Sequence, residues 1–175
     1  ASKLIQVDGF AFKDTNGSGK LDLWEDWRQT AEDRAAALAE AIDGPTAAAL
    51  MVHGSIFTLD TDLAAPFATP GKGEPTSMTE TLDEGVRTML NFSFSSTDPR
   101  ANAKWNNAMQ AYAEGKDFSI PVNISNNPQD FGFPCNLGLA ATFDPDLAKK
   151  VAQEESKAYH AEGGNTLLGP QIDCT

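Results

Sequence analysis

Long apolar runs are missing from this chain. None approaches the roughly 20 residues that a membrane-crossing helix needs, so no span is expected. Basic clusters are missing too: 13 Lys and Arg stand against 25 Asp and Glu, for a net charge of −12. Nucleic acid and anionic membrane surfaces are therefore poor partners. Only two cysteines occur, Cys135 and Cys174, too few for a disulfide scaffold and uninformative about compartment. No stretch reads as a signal peptide, which a mature exported chain would have shed. There is no internal repeat beyond a strand and helix alternation, and no low-complexity tail.

What is present suffices for one globular core, with 175 residues of which 41% are hydrophobic. The stretch from Ile120 to Thr175 organises the rest. Ile120-Pro121-Val122-Asn123-Ile124 has strand spacing and stops at the turn-forming cluster Ser125-Asn126-Asn127-Pro128. Asp144 offers an N-cap, Pro145 sits where a missing N–H costs nothing, and Gly163-Gly164 can close the helix. Leu147, Val151 and Ala158 share one face of that helix, while Lys149, Lys150, Glu154 and Glu155 are expected elsewhere. Thr166 to Ile172 reads as a second buried strand, parallel to the first because a helix returns the chain.

Residues 1–13 alternate as extended chain, and the sharpest motif follows. Taken as a loop of twelve, Asp14 to Glu25 carries oxygen-bearing side chains at positions 1, 3, 5, 9 and 12, glycine at 6 and leucine at 8. This is EF-hand spacing. Ca²⁺ takes about six to eight hard oxygens, which Asp14, Asn16, Ser18, the Lys20 carbonyl, Asp22 and a bidentate Glu25 could supply. Asn16 and Ser18 lower the ligand charge, and a helix is expected only on the exiting side. The plainer reading is an Asx and Gly turn satisfied by its own backbone.

Thr30-Ala31-Glu32-Asp33 resembles a capping box and opens a helix to about Ile42, which Gly44-Pro45 ends. Ala48-Ala49-Leu50-Met51-Val52 reads as a first sheet strand with His53 at its C-terminal end. Thr58 to Thr81 is a Pro- and Gly-rich loop, long enough to suggest a functional role. Val86 to Phe92 is the next strand. Asp98-Pro99 starts a helix with Ala101, Trp105, Met109 and Tyr112 on one core-facing stripe, ended by Gly115.

Three blocks, Phe133-Pro134-Cys135-Asn136-Leu137-Gly138-Leu139-Ala140-Ala141-Thr142, Asp144-Pro145-Asp146-Leu147 and Leu168-Gly169-Pro170, resemble the N-terminal domain of glycoside hydrolase family 3 in order and spacing. Weaker similarity runs back to about Asp14. The resemblance implies an α/β fold, the first half of a (β/α)8 TIM-type barrel with about four parallel strands, since a whole barrel needs roughly 250 residues. Residues 1–44 would then form an N-terminal extension and residues 45–175 the half-barrel. The remainder of the enzyme polypeptide would be the partner that covers the open sheet edge. A bridge between Cys135 and Cys174 is conceivable in such a barrel, against two free buried thiols.

The resemblance further implies a secreted or periplasmic retaining β-glycosidase acting on terminal non-reducing β-D-glucosyl residues of a β-glucoside or oligosaccharide. Its two catalytic carboxylates would lie outside this chain. Strand ends would present His53, Asn91, Ser125, Asn126, Asn127 and Asp173 to the sugar, although His53 also reads as a satisfied structural histidine. Asn127 stands where the family commonly has a sugar-gripping aspartate. That departure leaves open a degenerate barrel that binds carbohydrate without cleaving it, and the loop at 14–25 leaves open a calcium-dependent interaction module.

Overall fold

The chain pairs with itself before any helix is met. The computed structural model describes residues 3–56, 62–66, 76–92, 98–127 and 134–169. Within it β1 (Lys3–Val7) and β2 (Phe10–Asp14) form an antiparallel hairpin, in register from Lys3 with Asp14 to Val7 with Phe10. Asp8 and Gly9 make the turn with φ of 52° and 82°. Two positive values match the twist of paired strands, and Asp-Gly tolerates them better than most dipeptides. The buried Phe12 ring stacks on Trp27 with centroids 5.6 Å apart, and the Arg28 guanidinium sits 4.9 Å from the Phe12 centroid. Arg28 in turn forks onto Asp26, with Nε and Nη2 each 2.8 Å from a carboxylate oxygen.

Helix α1 (Ala31–Ala41) starts as expected, the Thr30 hydroxyl accepting from the Asp33 amide at 3.1 Å. The next segment corrects the sequence reading. Gly44-Pro45 does not end a helix but begins one, α2 (Gly44–Leu50), with the Asp43 carboxylate capping the Thr46 amide at 2.9 Å. Ala47 to Leu50 therefore form helix, not strand. Alanine favours helix, and an apolar run this short has no period to distinguish the two.

The first parallel strand is β3 (His53–Ile56), so His53 opens it instead of closing it. Then come α3 (Met78–Asp83), β4 (Thr88–Asn91), α4 (Pro99–Glu114), β5 (Asn123–Asn126), α5 (Asn136–Ala141), α6 (Pro145–Ala161) and β6 (Thr166–Leu167). The four strands form one sheet in sequence order, every neighbour parallel. Helix α3 shortens the expected loop: Ser77 and Glu80 form a capping box there, and Glu80 Oε2 accepts from the Ser77 amide at 2.8 Å.

Strand β5 starts three residues later than its apolar run. Gln110 of α4 explains this by imitating a strand partner: its amide donates to the Val122 carbonyl at 2.7 Å and its Oε1 accepts from the Val122 amide at 3.0 Å. The preceding turn puts two non-glycine residues, Phe118 and Ser119, at φ of 62° and 47°. Such backbone persists only where bonds over-determine it. Here the Phe118 amide donates to the Thr15 carbonyl at 3.1 Å and the Ser119 hydroxyl to the Glu114 carbonyl at 2.8 Å.

The core lies between sheet and helices. Ile56, Met89 and Ile124 of the strands pack with Met78 and Leu82 of α3, Trp105, Met109 and Ala113 of α4, and Tyr159 of α6. On α4 Trp105 and Met109 enter the core as the spacing predicts and Tyr112 packs against it, while Ala113, Asn102 and Asn106 are buried where Ala101 is not. On α6 the expected face is only partly right, because Leu147 is exposed while Glu155 is buried beside Tyr159. Glu155 lies one turn beyond Val151 and so shares its stripe, with Oε1 3.3 Å from the Tyr159 hydroxyl.

Candidate functional site

Parallel register decides which strand residues can meet. His53 aligns with Thr88 and Asn123, and Ser55 with Leu90 and Ser125, so these six side chains share one face of the sheet. On that face His53 Nε2 lies 3.0 Å from Ser125 Oγ, reaching diagonally across β4, and Ser125 also donates to the Met89 carbonyl at 3.1 Å. His53 is exposed, Ser125 fully buried. The buried Ser125 hydroxyl is thus taken up by the Met89 carbonyl and His53, and it orients the imidazole, whose other ring nitrogen can donate to or accept from a ligand hydroxyl.

Alternation sends the neighbouring positions the other way. Asn91, aligned with Ile56, faces the helices, where its amide donates to Asn106 Oδ1 at 3.3 Å. Asn126 is 1% exposed and donates to the Asn127 carbonyl at 3.3 Å. It borders a cleft of about 180 Å³ that Tyr159, Asn165 and Leu167 also line. Asn127 follows β5 directly and is half-buried, its carbonyl taken by the Tyr159 hydroxyl at 2.7 Å. Asp173 lies outside the described residues, as does Cys174. Cys135 is exposed, not the buried thiol the sequence suggested.

Sequence reasoning passed over a polar network behind β4 and β5. Asn102 donates to Glu162 Oε2 at 2.9 Å and Asn106 to the Glu162 carbonyl at 2.7 Å. All three residues are buried, and burial pushes the Glu162 carboxyl above its ordinary range, against the opposing pull of the Asn102 hydrogen bond. The signal was available: Asn102 and Asn106 are one helical turn apart beside Trp105 and Met109. Arg87 is a second buried charge, donating to the carbonyls of Leu82, Val86 and Ile120, and burial lowers its pKa.

At the loop between Asp14 and Glu25, a strand enters and a single 3-10 turn (Leu23–Glu25) leaves. The Gly19 amide donates to Asp14 Oδ2 at 3.0 Å, and the Ser18 amide to Asn16 Oδ1 at 2.9 Å. Ser18 Oγ is 3.2 Å from the Lys20 carbonyl and 3.3 Å from Asp22 Oδ2, which also accepts from the Asn16 amide at 2.8 Å. Glu25 is turned to the backbone, accepting from the Thr15 amide at 2.6 Å and the Asp22 amide at 3.1 Å. Among the described residues no three His, Cys, Asp or Glu side chains gather to hold a metal.

The arrangement is thus a four-stranded parallel α/β unit with a polar sheet face and a separate hairpin held through an oxygen-rich loop. No family model matches the chain. It is 32% identical over 185 aligned positions to the periplasmic beta-glucosidase/beta-xylosidase of Dickeya chrysanthemi, an alignment covering 97% of this chain and 28% of that protein. It is also 32% identical over 114 positions to beta-glucosidase C of Emericella nidulans, covering 55% of this chain and 18% of that one. With probable beta-glucosidase C of Aspergillus oryzae the figures are 28% over 120 positions, 60% and 19%. The chain spans little more than a quarter of the first of these relatives and less of the others.

Proposed function

We propose that this chain is the N-terminal portion of a retaining β-glycosidase of the family 3 type, one that hydrolyses terminal non-reducing β-D-glucosyl residues. The observation that carries the reading is the alignment with a beta-glucosidase/beta-xylosidase over nearly the whole chain. The sheet supports it: four parallel strands in sequence order, connected through helices, are how a (β/α)8 barrel begins. Further polypeptide would supply the remaining strands and cover β6, whose outer side has no strand partner among the described residues.

In that frame the face bearing His53 and Ser125 would look into the barrel, and the family resemblance would give Asn127 and Asp173 the role of gripping sugar hydroxyls. The two carboxylates, nucleophile and acid/base, would come from outside this chain. The name of the Dickeya relative supports an exported location.

The test is release of nitrophenol from aryl β-D-glucoside and β-D-xyloside by the polypeptide that carries this chain. NMR should show the β-anomer formed first. Inverted product, or no turnover with any β-glycoside, overturns the reading. A second reading, carbohydrate binding without hydrolysis, is favoured by Asn127, a neutral amide that grips a hydroxyl less strongly than a carboxylate. Saccharide binding without turnover would select it, and gain of turnover in Asn127→Asp would say why.

A further inference from the structure

We infer that the loop from Asp14 to Glu25 binds one Ca²⁺ and that the bound ion fastens the N-terminal hairpin to the sheet unit. The independent observation is Asp14. It is 4% exposed, and while Oδ2 accepts from the Gly19 amide inside the loop, Oδ1 is buried without a hydrogen-bond partner among the described residues. A buried carboxylate oxygen keeps its desolvation cost unless a donor or a cation meets it. The same loop supplies oxygens that suit a hard cation. Asn16 Oδ1, Ser18 Oγ, the Lys20 carbonyl and Asp22 Oδ2 belong to side chains and backbone already within hydrogen-bond reach of one another.

Only two of these groups are charged, which is why no cluster of carboxylates, imidazoles or thiolates stands out. Calcium needs no such cluster, because amide, hydroxyl and peptide oxygens ligate it readily. Mg²⁺ demands a tight octahedron and gives up its water reluctantly, so a loop of mostly neutral oxygens favours Ca²⁺ over it. With few charged ligands, the affinity belongs at the weak end of the EF-hand range, ~10⁻⁵ to 10⁻³ M.

The loop also touches the sheet unit directly. Thr15, the residue after Asp14, donates amide and hydroxyl to Glu25 and offers its carbonyl to Phe118, one of the two positive-φ residues before β5. Trp24 packs edge-on against Phe118 with centroids 6.0 Å apart, and Lys13 pairs with Glu114 at the end of α4. Ordering the loop therefore orders the contact on which the α4 to β5 turn rests, a role separate from any glycosidase chemistry.

The experiment is titration of the metal-stripped protein with Ca²⁺, followed by calorimetry and by Tb³⁺ luminescence excited through Trp24, whose Nε1 lies 3.2 Å from Thr15 Oγ1. One site per chain, a rise in Tm with Ca²⁺ but not with Mg²⁺, and slowed hydrogen exchange in both residues 10–25 and 116–123 are expected. Asp14→Asn keeps an acceptor for Gly19 but removes the charge, and should weaken Ca²⁺ binding at least about tenfold. Asp22→Asn gives the same outcome should the first variant fold poorly. No stoichiometric binding at millimolar Ca²⁺ overturns the site. Binding that protects residues 10–25 alone overturns the coupling.

Discussion

The Tyr159 hydroxyl donates to the Asn127 carbonyl at 2.7 Å, with Glu155 Oε1 a weaker second acceptor of the same proton at 3.3 Å, so helix α6 holds the backbone where β5 ends. This bond fixes the backbone of Asn127, the residue that follows β5 directly.

Removing the hydroxyl tests the restraint. Tyr159→Phe should cost roughly 1–2 kcal/mol by denaturant unfolding, because a buried carboxylate and a carbonyl lose a donor. If Asn127 meets sugar, KM for the aryl glucoside should rise more than kcat falls. An unchanged KM would separate the bond from substrate binding.

Glu162 predicts a pH dependence. Its folded pKa is raised by burial, so the folded state holds a proton that the unfolded chain releases. The contribution is complete below the ordinary glutamate value and is lost as pH climbs through the raised folded value. Glu162→Gln keeps an acceptor for Asn102 and cannot ionise. Its Tm should therefore fall less than wild type between mildly acidic and neutral pH, and parallel melting profiles would refute the assignment.

Gly163 closes α6 at φ 95°, and a Cβ there would stand 3.0 Å from Asn106 Cβ. Gly163→Ala adds left-handed strain and a clash with a residue already fixed in the Glu162 network. A loss of about 1–3 kcal/mol is expected. Gly17, also left-handed but with no described neighbour within 4 Å of an added Cβ, should lose less when changed to alanine.

Met109 is fully buried between α4 and the sheet. Met109→Ala should cost about 2–5 kcal/mol, and Met109→Leu under about 1.5, as thermal and urea unfolding will show.

The elements that local chemistry dictates were legible in the sequence. Asp98-Pro99 and Asp144-Pro145 start their helices, Gly163 ends the second, and the stripe from Trp105 to Met109 faces the core. The strand and helix alternation fixed a parallel sheet, and the oxygen spacing from Asp14 to Glu25 marked the loop as unusual. Each depends on residues a turn or two apart, whose steric and hydrogen-bonding preferences act before the chain folds.

Other features came only from contacts between distant segments. Whether Ala48 to Leu50 are strand or helix was settled by the Asp43 cap and by where the sheet admits a strand. Gln110, twelve residues upstream of Val122, moved the start of β5. Register placed His53 with Ser125, 72 positions apart, and turned Asn91 toward α4. A strand's two faces are equivalent until a second layer covers one, so composition alone could not say which asparagines look at ligand and which at helix.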